Sequence, residues 1–352
     1  MSPAQAPANG AVGAVVDTDD YRSIWMYLKE LEFRQGFVEL PVNGAVVRTR
    51  YAEAGATSTV AAGAAPEDKP HVILLHGTGG HWETFAPNLA ALSEHFHCVA
   101  IDMVGNGFSD KPDYDYEIAI YVEHVLGVMD HFGMTSANFV AMSLGAFVAS
   151  AMAVGHPERV DKVILMSPAG REASASNMAR IRAERTKAVN EPTWESLHAV
   201  FAHLIADEVN RLPDLIGLRQ AVYRREDTRN TIDRLLILQD EKVRNRNLIP
   251  DDDWRGITAP VMIVASGKDH GVYQDTARTI ADLIPNSEVF EMASVRHWPQ
   301  FEDPEAFNAA AVEFLSRGAG LPVTSLPTSP VGCTGPSRRA RRSGSYPWTT
   351  PT

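Results

Sequence analysis

Six short apolar runs, alternating with helix-like segments, constrain this chain more than any other feature. They are HVILLHG (71–77), HCVAIDM (97–103), NFVAMS (138–143), KVILMSP (162–168), PVMIVASG (260–267) and EVFEMAS (288–294). A strand with one wet face alternates apolar with polar residues. Most of these runs do not, so both of their faces must be covered. Helix-like segments follow at 82–95, 116–133, 144–155, 273–284 and 304–317. Strand and helix in alternation predict an α/β fold, with a mostly parallel central sheet and helices on both faces. Ligands of such sheets bind at the carboxyl ends of the strands.

The flanking segments read differently. Residues 1–36 are expected to be an N-terminal extension, with 1–16 disordered and 18–35 (TDDYRSIWMYLKELEFRQ) a short amphipathic helix. FVELPVNGAVVRTRYAEAG (37–55) alternates about Asn43-Gly44, a hairpin signal. ATSTVAAGAAPEDK (56–69) reads as a long flexible loop. From Arg171 to Gly256 the alternation stops, and the pattern is helical and charge-rich (RIRAERTK, YRREDTRN, DEKVRNRN). That position suggests a helical cap (171–256) over the carboxyl edge, where a lid would exclude water. The plainer alternative is a solvated insertion. The core is then 37–170 with 257–317. The Pro/Ser/Thr/Gly-rich tail (318–352) reads as disordered, and its RRARR (338–342) as part of an unstructured extension.

Charge narrows the function. The net charge is −12, and the tail carries no acid, so the body is more acidic than the total. An acidic body argues against duplex nucleic-acid binding, which needs a basic face. Cys98 follows a strand-like approach and Cys333 lies in the tail, so no disulfide is expected, which fits a reducing compartment. No Lys or Arg precedes Arg22, so the basic n-region of a signal peptide is missing, and no apolar run is long enough for a bilayer. The simplest location is the cytoplasm, with a small-molecule substrate as partner and neither nucleic acid nor membrane.

The polar residues of interest fall just after strands. HGTGG (76–80) follows HVILL, Ser143 follows NFVAM, Asp269 follows PVMIVASGK, and His297 follows the last strand in ASVRHWPQFEDP. AMSLG (141–145) departs from G-x-S-x-G only at Ala141. A serine hydroxyl is a weak nucleophile and needs a base, which His297 can be. The other ring nitrogen needs an acceptor to fix its tautomer, which Asp269 can supply. The developing oxyanion needs donors in place beforehand. The N–H of Leu144 is one, and that of Thr78, with Gly79 as the alternative, is the other. Alone, each has a bland reading: a structural serine, a packed histidine. The order Ser…Asp…His with a glycine-rich loop is the one expected of α/β-hydrolases. His76, Asp102 and Ser109 read as bracing residues.

The chain resembles the α/β-hydrolase superfamily over about 37–317. Within it, HWPQFEDPEAFN (297–308), PTWESLHAVFAHLIAD (192–207) and DLIGLRQAVY (214–223) resemble the meta-cleavage product hydrolases, which hydrolyse a carbon–carbon bond in vinylogous 1,5-diketones from opened aromatic rings. The resemblance implies that Arg219 polarises the substrate's oxo-enol end and that Trp298 lines the pocket, with Gly79 and Met142 also beside the substrate. It also carries the homo-oligomers common in that family. Two stretches depart from the pattern. Met142 stands where that family usually has Asn, and HGTGGHW lacks the proline of H-G-x-G-P-G. Methionine donates no strong hydrogen bond, so an ester, thioester or lactone would serve as well as a dienoate. A carboxylesterase or lactonase, and a non-hydrolytic binder keeping the fold, are therefore alternatives. Haloalkane dehalogenases and epoxide hydrolases of this fold use Asp at the elbow. H-E-x-x-H, C-x-x-C, Walker A and G-x-G-x-x-G patterns are absent, so no metal or other cofactor is implied.

Overall fold

The structure, a computed structural model, describes residues 22–55 and 69–318. Residues 56–68 of the loop predicted over 56–69, the start of the N-terminal extension and nearly all of the tail lie outside the described residues. The first two strands form a hairpin of β1 (Phe33–Val42) and β2 (Ala45–Ala54), paired antiparallel. Asn43 and Gly44 turn it at φ 48° and 74°. Two positive φ values match the twist of the strands, which is why Asn-Gly suits this turn. The helix predicted over 18–35 is not formed in the described part. Ile24–Tyr27 make a single 3-10 turn, with Ser23 accepting from the Trp25 amide at 3.1 Å. The strand begins four residues earlier than expected because Phe33 already pairs with Ala54, and those ladder bonds claim the residues a helix would need.

After the hairpin, strand and helix alternate. β3 (His71–Leu75), α1 (Ala86–Ser93), β4 (His97–Ile101), α2 (Ile118–His131), β5 (Ala137–Met142), α3 (Leu144–Gly155) and β6 (Val160–Met166) follow in turn. Six helices come next: α4 (Ala175–Asn190), α5 (Trp194–Leu204), α6 (Pro213–Tyr223), α7 (Glu226–Leu235), α8 (Glu241–Asn247) and α9 (Asp251–Arg255). The core resumes with β7 (Val261–Ser266), α10 (Gly271–Leu283), β8 (Ser287–Met292), α11 (Pro299–Glu302) and α12 (Pro304–Ser316). The sheet order is β1-β2-β4-β3-β5-β6-β7-β8. β2 runs antiparallel to both neighbours, and β4 through β8 pair parallel.

Every residue of β5 and β7 is buried, as their unbroken apolar runs require. α3 packs directly on the sheet because Gly145 has no side chain, and a methyl there would collide with the Leu75 carbonyl. The helices between β6 and β7 bury their own apolar set, including Leu197, Phe201, Leu215 and Ile216. Thr193 caps α5 and Asp240 caps α8, each side chain accepting from backbone amides of the first turn. Arg234 bonds Asp113 and Asp115 at 2.9 and 3.0 Å, and Arg246 bonds Glu117 at 2.6 Å. Both arginines are exposed, where water screens such pairs, so they orient the segment more than they hold it.

Candidate active site

Ser143 stands at the junction of β5 and α3, with φ 54° and ψ −109°. A non-glycine residue there carries roughly 1–3 kcal/mol of backbone strain. Neighbouring bonds hold it: the Ser143 amide donates to the Met166 carbonyl at 3.0 Å, and the Gly145 amide to the His76 carbonyl at 3.1 Å. Gly77 must be small as well, since a Cβ on it would lie 3.2 Å from the Ser143 Cβ. Ala141 is buried without conflict. Leu144 is the first residue of α3, where an amide has no acceptor within the helix. The Thr78 amide donates to no group among the described residues. Thr78, Ser143 and Leu144 border one cavity.

Asp269 follows β7, and His297 lies in the loop after β8. His297 Nδ1 is 3.0 Å from Asp269 Oδ2 and 3.2 Å from Oδ1. The same carboxylate accepts the Ser167 hydroxyl at 2.7 Å and the His270 amide at 2.8 Å. Burial alone would raise the Asp269 pKa. The charge of His297 and these hydrogen bonds outweigh it and hold the carboxyl below its ordinary value. The His297 ring packs edge-on to Tyr273, 4.5 Å between centroids. Its backbone amide donates to the Leu204 carbonyl at 3.1 Å. Glu302 accepts from the amides of Ala206 and Arg296, both at 2.7 Å, tying the end of α5 to the histidine loop.

Ser143 and His297 line a common cavity with Thr78, Met142, Arg219 and Trp298. Arg219 is only 1% exposed, which removes the reading of a solvated arginine. Burial pushes its pKa down. Trp298 stacks edge-on against Phe201 at 5.5 Å, and its indole N–H has no acceptor among the described residues. Met142 is buried, and its sulfur accepts weakly from Gln300 Nε2 at 3.6 Å. Gly79 sits differently. It does not border the cavity, and its amide donates to Asn106 Oδ1 at 2.9 Å. Its φ of 69° puts the loop's turn there, and a side chain would meet the Tyr223 hydroxyl at 2.6 Å. Gly79 therefore shapes the loop, and its amide is already engaged.

The bracing residues sit behind this layer. His76 Nε2 accepts the Met103 amide at 3.0 Å, so its Nδ1 carries the proton and donates to the Gly77 carbonyl at 2.7 Å. Burial lowers its pKa to about 4. Asp102 accepts from the amides of Trp82 and Phe108, both at 2.8 Å. Ser167, Arg185, Arg244, Gln300 and Asn106 are parts of the site that sequence reasoning missed. Only Ser167 carried a usable signal, because it follows β6 as Ser143 follows β5. Among the described residues no group of three His, Cys, Asp or Glu side chains is placed to hold a metal ion.

Residues 70–304 match the family described as alpha/beta hydrolase fold. The chain belongs to the α/β-hydrolase family. This α/β-hydrolase is 28% identical over 300 residues to the 2-hydroxy-6-oxo-6-(2'-aminophenyl)hexa-2,4-dienoic acid hydrolase of Metapseudomonas resinovorans, across 81% of this chain and 93% of that one. It is 26% identical over 261 residues to the 2-hydroxymuconate semialdehyde hydrolase of Pseudomonas putida, across 71% of this chain and 88% of the relative. Among solved structures, the 2-hydroxy-6-oxo-6-phenylhexa-2,4-dienoate hydrolase from Rhodococcus sp. strain RHA1 superposes with a TM-score of 0.67 at 23% identity, covering 81% of this chain and 99% of that one. That last likeness is one of fold. The relatives are hydrolases, and this α/β-hydrolase resembles the carbon–carbon hydrolases among them.

Proposed function

We infer that this chain is a serine-dependent hydrolase cleaving a carbon–carbon bond in a meta-ring-fission-type dienoate, with α4–α9 as a cap over the site. The observation that carries this reading is one cavity bordered by Ser143, by the Asp269-bonded His297, and by the buried Arg219. The names of the relatives support the substrate class, since one is named a hydrolase of a 2-hydroxy-6-oxo-hexa-2,4-dienoic acid and another of 2-hydroxymuconate semialdehyde.

In this mechanism the substrate enters under the cap. A carbon leaving group departs as a carbanion, so its charge must first be delocalised into an oxo group. Ketonisation of the dienol does this, and Arg219 assists by stabilising charge on the oxo-enol end. His297 then takes the proton from Ser143 or from water, with Asp269 holding the imidazole in the tautomer that can accept it. The oxyanion forms against the amides of Thr78 and Leu144. The carbon–carbon bond breaks, the leaving carbon is protonated, and water completes release of the acid. Trp298 and Met142 line the pocket beside the reacting atoms.

The test uses purified protein with yellow 2-hydroxy-6-oxo-dienoates, a panel of esters and lactones, and a fluorophosphonate probe. Expected are bleaching of the dienoates, labelling of Ser143, and loss of both in Ser143→Ala, with turnover down by about 10⁴ or more. Turnover of esters or lactones alone would replace this reading with a carboxylesterase or lactonase, the alternative that Met142 raises. No turnover and no labelling would leave a binding protein of this fold.

A further inference from the structure

The glycine-rich loop after β3 is a four-residue turn. The Gly80 amide donates to the Gly77 carbonyl at 2.9 Å, so Thr78 and Gly79 are its central residues. Gly79 has φ 69°, whereas Thr78 is not among the residues with positive φ. Positive φ at the third position alone is the mark of a type II turn. Turning the peptide unit between Thr78 and Gly79 over would make it type I. A glycine at the third position tolerates both states, so the loop sequence by itself does not choose between them.

Asn106 makes the choice. It stands in the turn after β4, 1% exposed, and its Oδ1 accepts the Gly79 amide at 2.9 Å. Its Nδ2 donates to the Val104 carbonyl at 3.0 Å, and its backbone amide to the Met103 carbonyl at 2.9 Å. The carbonyl of Val104 can only accept, so the side-chain amide cannot turn round, and the atom facing the loop stays an acceptor. In the type I state the Thr78 carbonyl would replace the Gly79 N–H against that oxygen. Two buried acceptors would then meet without a proton between them, which is unfavourable. The cap closes the other side of the turn, since a methyl on Gly79 would lie 2.6 Å from the Tyr223 hydroxyl of α6. Asn106 itself borders neither of the cavities that Ser143 and Thr78 share.

We propose that Asn106 is a positioning residue for the oxyanion hole: by accepting the Gly79 amide, it holds the turn in the one state that presents the Thr78 amide beside Ser143. This rests on Ser143 as the nucleophile and on no particular substrate. Donors to a developing oxyanion act through being fixed before the charge appears. A turn free to change state would offer the Thr78 amide only part of the time. Asn106 thus acts on the reaction through the loop, at one remove from the reacting atoms.

The test uses a fluorophosphonate, which needs no known substrate. Ser143 attacks the phosphorus, its proton passes to His297, and fluoride leaves, so negative charge gathers on the phosphoryl oxygen in the hole. The limiting rate of labelling and the probe concentration at half that rate are measured for the wild type, Asn106→Leu and Asn106→Asp, beside thermal melts. Asn106→Leu removes the acceptor and should lower the limiting rate about tenfold to a hundredfold, with the half-saturating concentration nearly unchanged. Asn106→Asp keeps an oxygen for the Gly79 amide and should recover part of that loss. Where Asn106→Leu does not fold, Asn106→Ala is read in the same way. A wild-type limiting rate without the acceptor, or a loss that Asn106→Asp shares in full, would overturn the proposal. A wild type that takes no label would remove Ser143 as the nucleophile, and the role of Asn106 with it.

Discussion

Ser167 Oγ donates to Asp269 Oδ2 over 2.7 Å from a backbone held at φ 44°. The sheet order explains the contact. β6 lies between β5 and β7, so the residue after β6 sits between Ser143 and Asp269 at the same edge. The hydroxyl is also 3.1 Å from the His297 carbonyl. One side chain thus orients the carboxylate and touches the loop that carries the imidazole.

Replacing Ser167 with glycine separates that role from stability. Glycine adopts the positive φ without strain, so the melting temperature should change little. The lost hydrogen bond to a charged group should lower kcat roughly tenfold with KM nearly unchanged. Steady-state kinetics beside a thermal melt check this. A variant that melts early with normal kcat would make Ser167 merely structural.

Arg219→Gln should discriminate between substrates. The guanidinium is buried and borders the cavity, so an anionic dienoate should lose about a hundredfold in kcat/KM. A neutral 4-nitrophenyl ester should lose less than about tenfold in the same assay. Equal losses on both would mean that Arg219 supports the fold alone.

Gly145→Ala should destabilise the protein by about 2–4 kcal/mol, because the new methyl meets the Leu75 carbonyl and neither backbone can move far. Urea denaturation measures this. Activity should fall too, since α3 carries Ser143 at its start.

Acid should begin to destabilise the protein above the usual carboxylate range. His76 and His124 each accept a backbone amide, from Met103 and Val104, so neither can protonate without breaking that bond. Burial lowers their pKa values to about 4 and about 3. The unfolded chain takes up these protons near pH 6.5 while the folded protein does not. Stability is therefore full above pH 6.5 and falls as the pH drops toward 4, with His76 alone worth up to about 3 kcal/mol. Urea midpoints measured between pH 7 and pH 4 should fall steadily. A flat profile would contradict the neutral, amide-accepting imidazoles.

The sequence by itself determined the alternation of strands and helices and which residues follow each strand. Both are local patterns: unbroken apolar runs, small residues after Ser143, Asn-Gly at the hairpin turn. Ser143, Asp269 and His297 were legible because each stands just after such a run, and parallel strands bring their ends to one edge. Tertiary structure alone decided the rest. Phe33 joined the sheet because Ala54 is its partner across the hairpin, which overrode the helical pattern at 18–35. The Gly79 amide went to Asn106, a residue 27 positions away. On helices dense with charge, Arg185 looks like Arg180 and Arg246, which pair with Glu184 and Glu117. What distinguishes it is whether a carboxylate lies within reach, and that depends on how helices far apart in the chain pack together.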